Sequence, residues 1–387
     1  MAQTLRLMSM ALLFVAVALA ASAREPYKEM LAEEQVFTGT ETLPLDAANT
    51  DAIVIGLFAP DGENHPVGRA LTRGATLAIE EANAAEGHSD RRPIRLVRRW
   101  ADDPWGAGSK EIIKLVFEDN AWALIGGPDG ATTHVAQQVA TKAHIPLVAP
   151  VSSDPSLTHT RVPWIFRLPP DDAVQAALLV KEGIAPLGIE RVGLVSSTDH
   201  DGRTAAAEIV AALESAGLPP AFHLEIAPVT EDLESVARQV ATFEVDGLVL
   251  RLAPADLRRM APFLVAEGIE APIFLPWIPG LDLDGFPLAT TGPIRTITPI
   301  DLPRSCGPYL KFVRAFVRRY GAKPTPEAVY GYDAAGLLVA AARSGVTGRV
   351  DLRERIAALS GWVGSGGEVD WDTGGGNQAA APVLSTP

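Results

Sequence analysis

Few side chains in this sequence form patterns that are typical of catalytic, metal-binding or phosphate-binding sites. The seven histidines include no H-E-x-x-H motif and no pair at metal-binding spacing with acids nearby. Gly127–Thr132, which reads Gly-Pro-Asp-Gly-Ala-Thr, lacks the lysine of a phosphate-binding loop, and the sequence contains neither G-x-G-x-x-G nor G-x-S-x-G. We therefore expect no catalysis, no metal and no cofactor, with a hydrolase or a dehydrogenase as the minor alternative.

The composition and charge exclude further classes of partner. The 387 residues are 47% hydrophobic and 21% charged, with a formal net charge of −14 at pH 7. Nucleic acids and anionic membrane surfaces need basic patches, so neither is an expected partner. The single cysteine, Cys306, cannot form an internal disulfide, and we interpret it as an inert thiol. These features predict a soluble monomer stabilised by ordinary hydrophobic cores.

The first residues predict export. Residues 1–23 carry one charge, Arg6, then an apolar run from Leu7 to Ala20, and end in Ala21-Ser22-Ala23. A charged start, a short apolar run and small residues at the end are typical of a cleaved signal peptide, here leading to the periplasm. A membrane anchor, which needs about 20 apolar residues, is the alternative. Residues 24–51 form an acidic segment that we expect to be an arm over the fold.

From residue 52 the chain alternates short apolar runs with helical patterns. The first series of predicted strands is Ala52–Phe58, Ile94–Trp100, Trp122–Ile125, Ile145–Ala149 and Trp164–Leu168. After Pro169-Pro170 a second series begins, with Arg191–Ser196, Phe222–Ile226, Gly247–Arg251 and Pro272–Leu275. Strands that alternate with helices predict parallel sheets covered on both faces. The fold class is therefore α/β, with two doubly wound parallel-sheet lobes.

The remaining segments contain no complete unit of this kind. Ile294–Ile297 and Gly367–Trp371 resemble strands, and Cys306–Tyr320 and Pro326–Arg343 resemble helices. We expect them to complete the two lobes, so that residues 52–168 with about 298–360 form lobe 1, and residues 169–297 with about 361–387 form lobe 2. The chain then crosses between the lobes several times; a third, small helical domain is the alternative.

Two such lobes predict a ligand clamp. Ligands bind doubly wound sheets outside the carboxyl ends of the strands. When two lobes face each other, both sets of strand-end loops surround one cleft, and the crossover segments serve as hinges for closure.

Several segments, in order and at similar spacing, carry a family resemblance. They are Val54-Ile55-Gly56, Asp102-Asp103-Pro104, Ala123–Gly127, His144–Pro150 and Tyr330–Ala334. Over roughly residues 52–371 the chain resembles type I periplasmic binding proteins of the leucine/isoleucine/valine-binding family. The resemblance implies the substrate-binding component of an ABC importer for amino acids or related acids and amides. It also implies delivery to an ABC permease in the inner membrane, without catalysis, metal or cofactor.

The resemblance implies a carboxylate site on lobe 1. Family members hold the ligand carboxylate with hydroxyl side chains and backbone N–H groups at two turns, where helix N-termini favour an anion. The matching residues are Gly130, Ala131, Thr132, Ser152 and Ser153. Gly130 stands where a serine is common, so one hydroxyl is missing. Helix capping is the alternative role of Ser152 and Ser153.

On lobe 2 the sequence departs from the family pattern. Asp201 stands where the family places an aromatic residue, and Trp277 stands where it places the acid that takes an ammonium group. We expect Asp201 either to bind the ammonium or to cap a helix, and Trp277 either to stack on the ligand or to pack between lobes. Arg251, at a strand end, is expected to bind a second carboxylate or to pair with Asp201 or Asp256.

His65 and Tyr332 are weaker candidates at the cleft rim. The predicted ligand is a small carboxylate-bearing molecule, namely an amino acid, an amide or an aromatic acid. A ligand-sensing clamp that feeds a receptor or kinase needs the same architecture and remains the alternative to transport.

Overall fold

The computed structural model describes residues 51–85, 92–230, 232–283, 286, 292–301 and 306–386. The predicted signal peptide and the arm at residues 24–51 lie outside this part of the chain, apart from Asp51. Among the described residues, no helix combines the length and the apolar character that crossing a bilayer requires.

The first sheet is entirely parallel. Its strands are β1 Ile53–Phe58, β2 Ile94–Arg99, β3 Ala123–Gly126, β4 Leu147–Ala149 and β5 Ile165–Arg167, in the order β2-β1-β3-β4-β5. All strands except the edge strand β2 are completely buried. Continuous apolar runs of this kind are typical of parallel strands covered by helices on both faces.

The second sheet repeats the same winding and adds one antiparallel strand. Its strands are β6 Val192–Ser197, β7 Phe222–Ile226, β8 Gly247–Arg251, β9 Ile273–Leu275, β10 Ile294–Thr298 and, much later, β13 Val383–Ser385. The order is β13-β10-β9-β8-β6-β7, with β13 antiparallel to β10. A small antiparallel pair, β11 Trp362–Val363 and β12 Glu368–Val369, precedes β13.

Helices connect these strands. In chain order they are α1 Pro66–Ala84, α2 Ser109–Phe117, α3 Gly130–Ala143, α4 Ser156–His159, α5 Asp172–Leu178, α6 His200–Ser215, α7 Leu233–Ala241, α8 Pro254–Ala266, α9 Cys306–Tyr320, α10 Pro326–Ala342 and α11 Arg349–Ala357. Several begin at an aspartate whose carboxylate accepts a helix N–H, including Asp129 for α3 and Asp199 for α6. This is the usual chemistry of a helix start.

Helix α10 lies directly against α1, although the two are far apart in sequence. A Cβ atom at Gly74 would lie 2.0 Å from the Ala328 carbonyl oxygen, and one at Gly331 would lie 2.4 Å from that of Leu71. Two glycines therefore permit the backbones to approach closely. Helix α11 is held to the first sheet by Arg349, which donates to the Val116 and Ala121 carbonyl oxygens.

The chain passes between the two sheets three times. It leaves the first sheet after β5, returns from β10 to the helices that pack on α1, and goes back to the second sheet at β13. The predicted α/β fold with two doubly wound sheets is confirmed. The sequence patterns missed α5, α11 and β13, which are short and have weak periodicity. The residue boundaries predicted for the two lobes stay a prediction.

Candidate functional site

Each sheet reverses its strand order at one point, and these two points face each other. In the first sheet β1 and β3 are neighbours with β2 outside, and in the second sheet β6 and β8 are neighbours with β7 outside. Ligands of doubly wound sheets bind at such reversals. The loops at the strand ends enclose a cavity of about 550 Å³, which is lined by Pro60, Asn64, His65, Pro66, Val67, Gly68, Trp100, Asp102, Pro128, Asp129, Ala131, Thr132, Asp199, Asp201, Arg251, Ala253, Pro254, Ile278 and Pro279.

The N-terminus of α3 is already supplied with carboxylates. Asp129 caps the helix, accepting the Thr132 N–H at 2.8 Å and the Thr132 hydroxyl at 2.7 Å. The Gly130 N–H donates to Asp201 of the other lobe, at 2.9 Å to Oδ1 and 3.3 Å to Oδ2. Two of the N–H groups expected to hold a ligand carboxylate thus hold protein carboxylates instead.

Gly130 is explained by the approach of the second lobe. A Cβ atom at this position would lie 2.3 Å from Asp201 Oδ1 and 2.9 Å from a ring carbon of His200. The serine that is common here in the family would therefore collide with α6. The missing hydroxyl and the unusual Asp201 belong to one arrangement, in which an acid from lobe 2 occupies the space of a lobe 1 side chain.

Asp201 does not cap its own helix. Helix α6 begins at His200, two residues before the Gly202 start that an Asp201 cap requires, and Asp199 is the cap, accepting the Gly202 N–H at 2.6 Å. Asp201 stands in the first turn with its carboxylate turned towards Gly130. Burial and the nearby Asp129 raise its pKa to about 6, while Arg251 acts in the opposite direction.

Arg251 ends β8 with its guanidinium group at the cavity. The residue is only 6% exposed, and its Nε has no hydrogen-bond partner among the described residues. Neither of the expected partners pairs with it within 4.0 Å in the part of the chain that the structure describes. Asp256 instead accepts from Arg259 at 3.0 Å and from the Val229 N–H at 3.0 Å. Asp172 and Asp201 act on Arg251 only from beyond ion-pair distance, and a buried cation without a close ion pair is costly.

Ser152 and Ser153 are buried and do not line the cavity. The Ser153 hydroxyl donates to Asp172 at 2.7 Å, and Ser152 Oγ accepts the Asp154 N–H at 3.3 Å. Burial raises the pKa of Asp172 to about 8, against the opposing effects of Arg251 and the Ser153 hydrogen bond. In this structure the Ser152 hydroxyl therefore supports the turn, and the Ser153 hydroxyl joins the turn to the start of α5.

The remaining predicted residues divide between rim and core. His65 lines the cavity, with Nε2 3.6 Å from Asp102 Oδ1. Trp277 is 6% exposed and does not line the cavity. Its backbone N–H donates to the Gln175 side chain, and its ring centre lies 5.8 Å from that of Tyr330, so it packs inside the protein. Tyr332 is also absent from the cavity lining, because its hydroxyl donates to Glu81 on α1 at 2.7 Å.

Sequence reasoning missed several lining residues, including Asn64, Trp100, Asp199 and Ile278. Each follows the carboxyl end of a strand, so the strand-end rule applied to every loop finds them.

Sequence reasoning also missed a cluster of His134, Asp154 and His200 beside the cavity, whose side-chain ligand atoms lie within 4.8 Å of one another. Hydrogen bonds from both imidazoles hold the pKa of Asp154 well below its usual range despite its burial, and Asp154 raises the pKa of His200.

A cavity between two doubly wound sheets, with three chain passages between them, defines a two-lobed binding protein. Residues 52–384 match the family described as Periplasmic binding protein, and the chain belongs to this family. The resemblance noted from the sequence is thereby confirmed.

Solved structures share the fold at low sequence identity. A leucine-binding protein from Thermotoga maritima has a TM-score of 0.76 at 19% identity, covering 87% of this chain and 95% of its own. A solute-binding protein from R. palustris in complex with benzoate has a TM-score of 0.74 at 20% identity, covering 86% and 92%. An amino acid binding protein from Pseudomonas aeruginosa is 26% identical over 191 residues, 49% of this chain and 50% of its own. The match thus spans about half the length of that curated relative.

Proposed function

We propose that this protein is the solute-binding component of an ABC importer and captures a small carboxylate-bearing molecule in the cavity between its lobes. The ligand class comprises amino acids, amides and aromatic acids. The observation that carries the proposal is Arg251, a buried guanidinium group that borders the cavity without an ion pair among the described residues.

Arg251 is the proposed anchor of the ligand carboxylate. Arginine presents a fork of N–H donors that matches a carboxylate, and such charge-assisted pairs are stronger than neutral hydrogen bonds. A ligand carboxylate would supply the counter-charge that the described part of the protein does not place within 4.0 Å. In this proposal Arg251 takes the role that the family pattern gives to Ser152 and Ser153, since both hydroxyls are engaged within the protein.

The walls of the cavity suit a ligand with an apolar body. Pro60, Trp100, Ile278 and Pro279 contribute carbon surface, and a volume of about 550 Å³ lies in the range of sites for small molecules. Asp201 supplies a carboxylate on the same cavity, where an ammonium or amide group of the ligand would be accepted. The leucine and benzoate named for the two solved relatives share a carboxylate and an apolar body.

The remaining parts of the proposal follow from the family. We place the protein in the periplasm as a monomer, released by cleavage after Ala23, and its partner is a permease of the inner membrane. Residues 52–168 with about 298–360 form lobe 1 and residues 169–297 with about 361–387 form lobe 2, and closure occurs by hinge motion between them. The protein acts by binding, without catalysis.

A thermal-shift panel on the purified protein, freed of ligand by unfolding and refolding, tests the proposal. The panel contains amino acids, carboxylate-bearing amides, aromatic acids and dicarboxylates, each with the methyl ester of its carboxylate as a control. A ligand at 100 times its dissociation constant adds about 2.7 kcal/mol of stability, a shift of several degrees. Stabilisation by a free acid and not by its ester supports the proposal, whereas stabilisation only by molecules without a free carboxylate contradicts it.

A further inference from the structure

Two imidazole rings and one carboxylate meet where the lobes touch, outside the cavity. His134 stands on α3, Asp154 on the turn after β4, and His200 at the first position of α6. His134 Nε2 lies 2.8 Å and His200 Nε2 lies 2.6 Å from the same oxygen, Asp154 Oδ2. Asp154 is 2% exposed, while its Oδ1 accepts the Ser156 N–H at 2.8 Å.

A neighbouring glutamine fixes the orientation of His134. The Gln137 amide nitrogen donates to the Leu157 carbonyl oxygen at 3.2 Å, and since a carbonyl can only accept, the amide oxygen must be the atom that faces the histidine. That oxygen lies 3.0 Å from His134 Nδ1, which therefore donates. A neutral His134 consequently carries its free lone pair on Nε2, the atom directed at Asp154.

This orientation calls for either a proton or a metal ion between His134 Nε2 and Asp154, and Ser156 Oγ also lies 3.2 Å from His134 Nε2. A lone pair on His134 Nε2 and a carboxylate oxygen at 2.8 Å repel each other unless a cation or an additional proton lies between them. The same carboxylate oxygen also faces His200. Imidazole nitrogens together with a carboxylate are the donors that Zn²⁺ favours, and a second-shell hydrogen bond on the other ring nitrogen is the usual support of such a ligand.

We propose that His134, Asp154 and His200 form a Zn²⁺ site that joins the two lobes. Three protein ligands leave one coordination position for water. Zinc–ligand distances of about 2.0–2.2 Å place each histidine nitrogen further from Asp154 Oδ2 than the 2.8 and 2.6 Å found here, so the side chains must rotate to admit the ion. His200 has 34% of its side chain exposed, which provides a route from solvent.

The site has a mechanical consequence. His134 and Asp154 belong to elements of the first sheet, whereas His200 opens the helix that follows β6 of the second sheet. A bound ion therefore bridges the lobes and favours the closed clamp. The three residues do not line the 550 Å³ cavity, so the metal site stands independently of the proposed ligand capture.

Calorimetric titration of the chelator-treated protein with Zn²⁺ tests the site. The expected result is one Zn²⁺ per chain at micromolar concentration, with affinity lowered at least tenfold in His134→Ala and in His200→Ala. Gln137→Met, which removes the orienting acceptor, is expected to lower the affinity roughly 10–100-fold. The control is His223→Ala on β7, an exposed histidine that pairs with Ser196 and should leave binding unchanged.

Two further measurements separate loss of binding from loss of folding and test whether the ion joins the lobes. Circular dichroism in chelator confirms that each variant is folded, and small-angle scattering measures whether Zn²⁺ makes the wild-type protein more compact. Zn²⁺ binding that persists in the His134→Ala/His200→Ala double variant, or a wild type that binds no Zn²⁺ at micromolar concentration, overturns the site. Binding without compaction overturns the bridge between the lobes.

Discussion

The carboxylate of Asp201 accepts the N–H of Gly130 from the opposite lobe, at 2.9 Å, in the space where a side chain at position 130 would stand. A helix N-terminus attracts anions, and here the protein itself supplies one. The contact gives the two lobes a direct hydrogen bond at the edge of the cavity. This contact also explains two departures from the family pattern, namely the glycine at position 130 and the aspartate at position 201.

Gly130→Ala is expected to push the lobes apart. Its Cβ would meet Asp201 Oδ1 at 2.3 Å, whereas replacing a helical glycine by alanine is otherwise favourable by about 0.5–1 kcal/mol. Small-angle scattering should show a larger radius of gyration in the ligand-free variant. Gly307→Ala is the matched control, since nothing lies within 4 Å of its added Cβ. An unchanged radius in Gly130→Ala would mean that this contact does not hold the lobes together.

Arg251→Met is expected to weaken binding of a carboxylate ligand by about 10–150-fold. This corresponds to the loss of a charge-assisted hydrogen bond of about 1.5–3 kcal/mol. Calorimetry with the acid identified in the thermal-shift panel measures the effect. The comparison is Arg259→Met, because Arg259 is an exposed arginine on α8 that pairs with Asp256, and its loss should leave affinity unchanged. Equal affinities for the Arg251 variant and the wild type would remove Arg251 from the site.

Asp172 is expected to make stability fall as the pH rises. Burial raises its pKa to about 8 in the folded protein, with Asp201 and Asp154 reinforcing the effect and Arg251 opposing it. In the unfolded chain an aspartate has a pKa of about 3.9. Between about pH 4 and pH 8 the folded state therefore binds more protons than the unfolded state, and the free energy of unfolding decreases as the pH rises. Urea denaturation at a series of pH values measures this slope.

Asp172→Asn is the matched variant for that slope, because asparagine does not titrate in either state. The decrease in unfolding free energy from about pH 5 to pH 8 should be smaller in Asp172→Asn than in the wild type. Identical slopes would show that Asp172 stays ionised in the folded protein.

Asp333→Ala is expected to destabilise the protein strongly. The buried carboxylate accepts the Ser365 N–H at 2.7 Å and the Gly366 N–H at 2.6 Å, which ties the segment between β11 and β12 to α10. An N–H group left without a partner costs about 1–3 kcal/mol. Denaturant unfolding measures the loss, and Asp333→Asn, which keeps an acceptor oxygen, should lose less. Equal losses in the two variants would point to packing instead of hydrogen bonding.

The two sheets could be predicted from the sequence because each central strand is a continuous apolar run. Leu248, Val249 and Leu250, for example, are all buried in β8. The family resemblance pointed to Asp201 and the end of a strand pointed to Arg251, and both residues line the cavity.

Other contacts depend on how the lobes approach each other, which no local pattern records. Ser153 looks like a ligand residue until Asp172, from the following crossover, is placed beside it. His134 and His200 are 66 residues apart in the sequence and lie on different lobes, so no motif spacing could connect them.

The three chain passages between the sheets have a practical consequence. Three segments that join the lobes restrain twisting and sliding, so we expect their relative motion to be mainly a hinge rotation. A single distance between two spectroscopic labels, one near Asn64 and one near Pro254 on opposite edges of the cavity, therefore reports the whole opening of the molecule. Because the sequence contains one cysteine, Cys306, its replacement leaves a background on which such a pair of labels can be introduced cleanly.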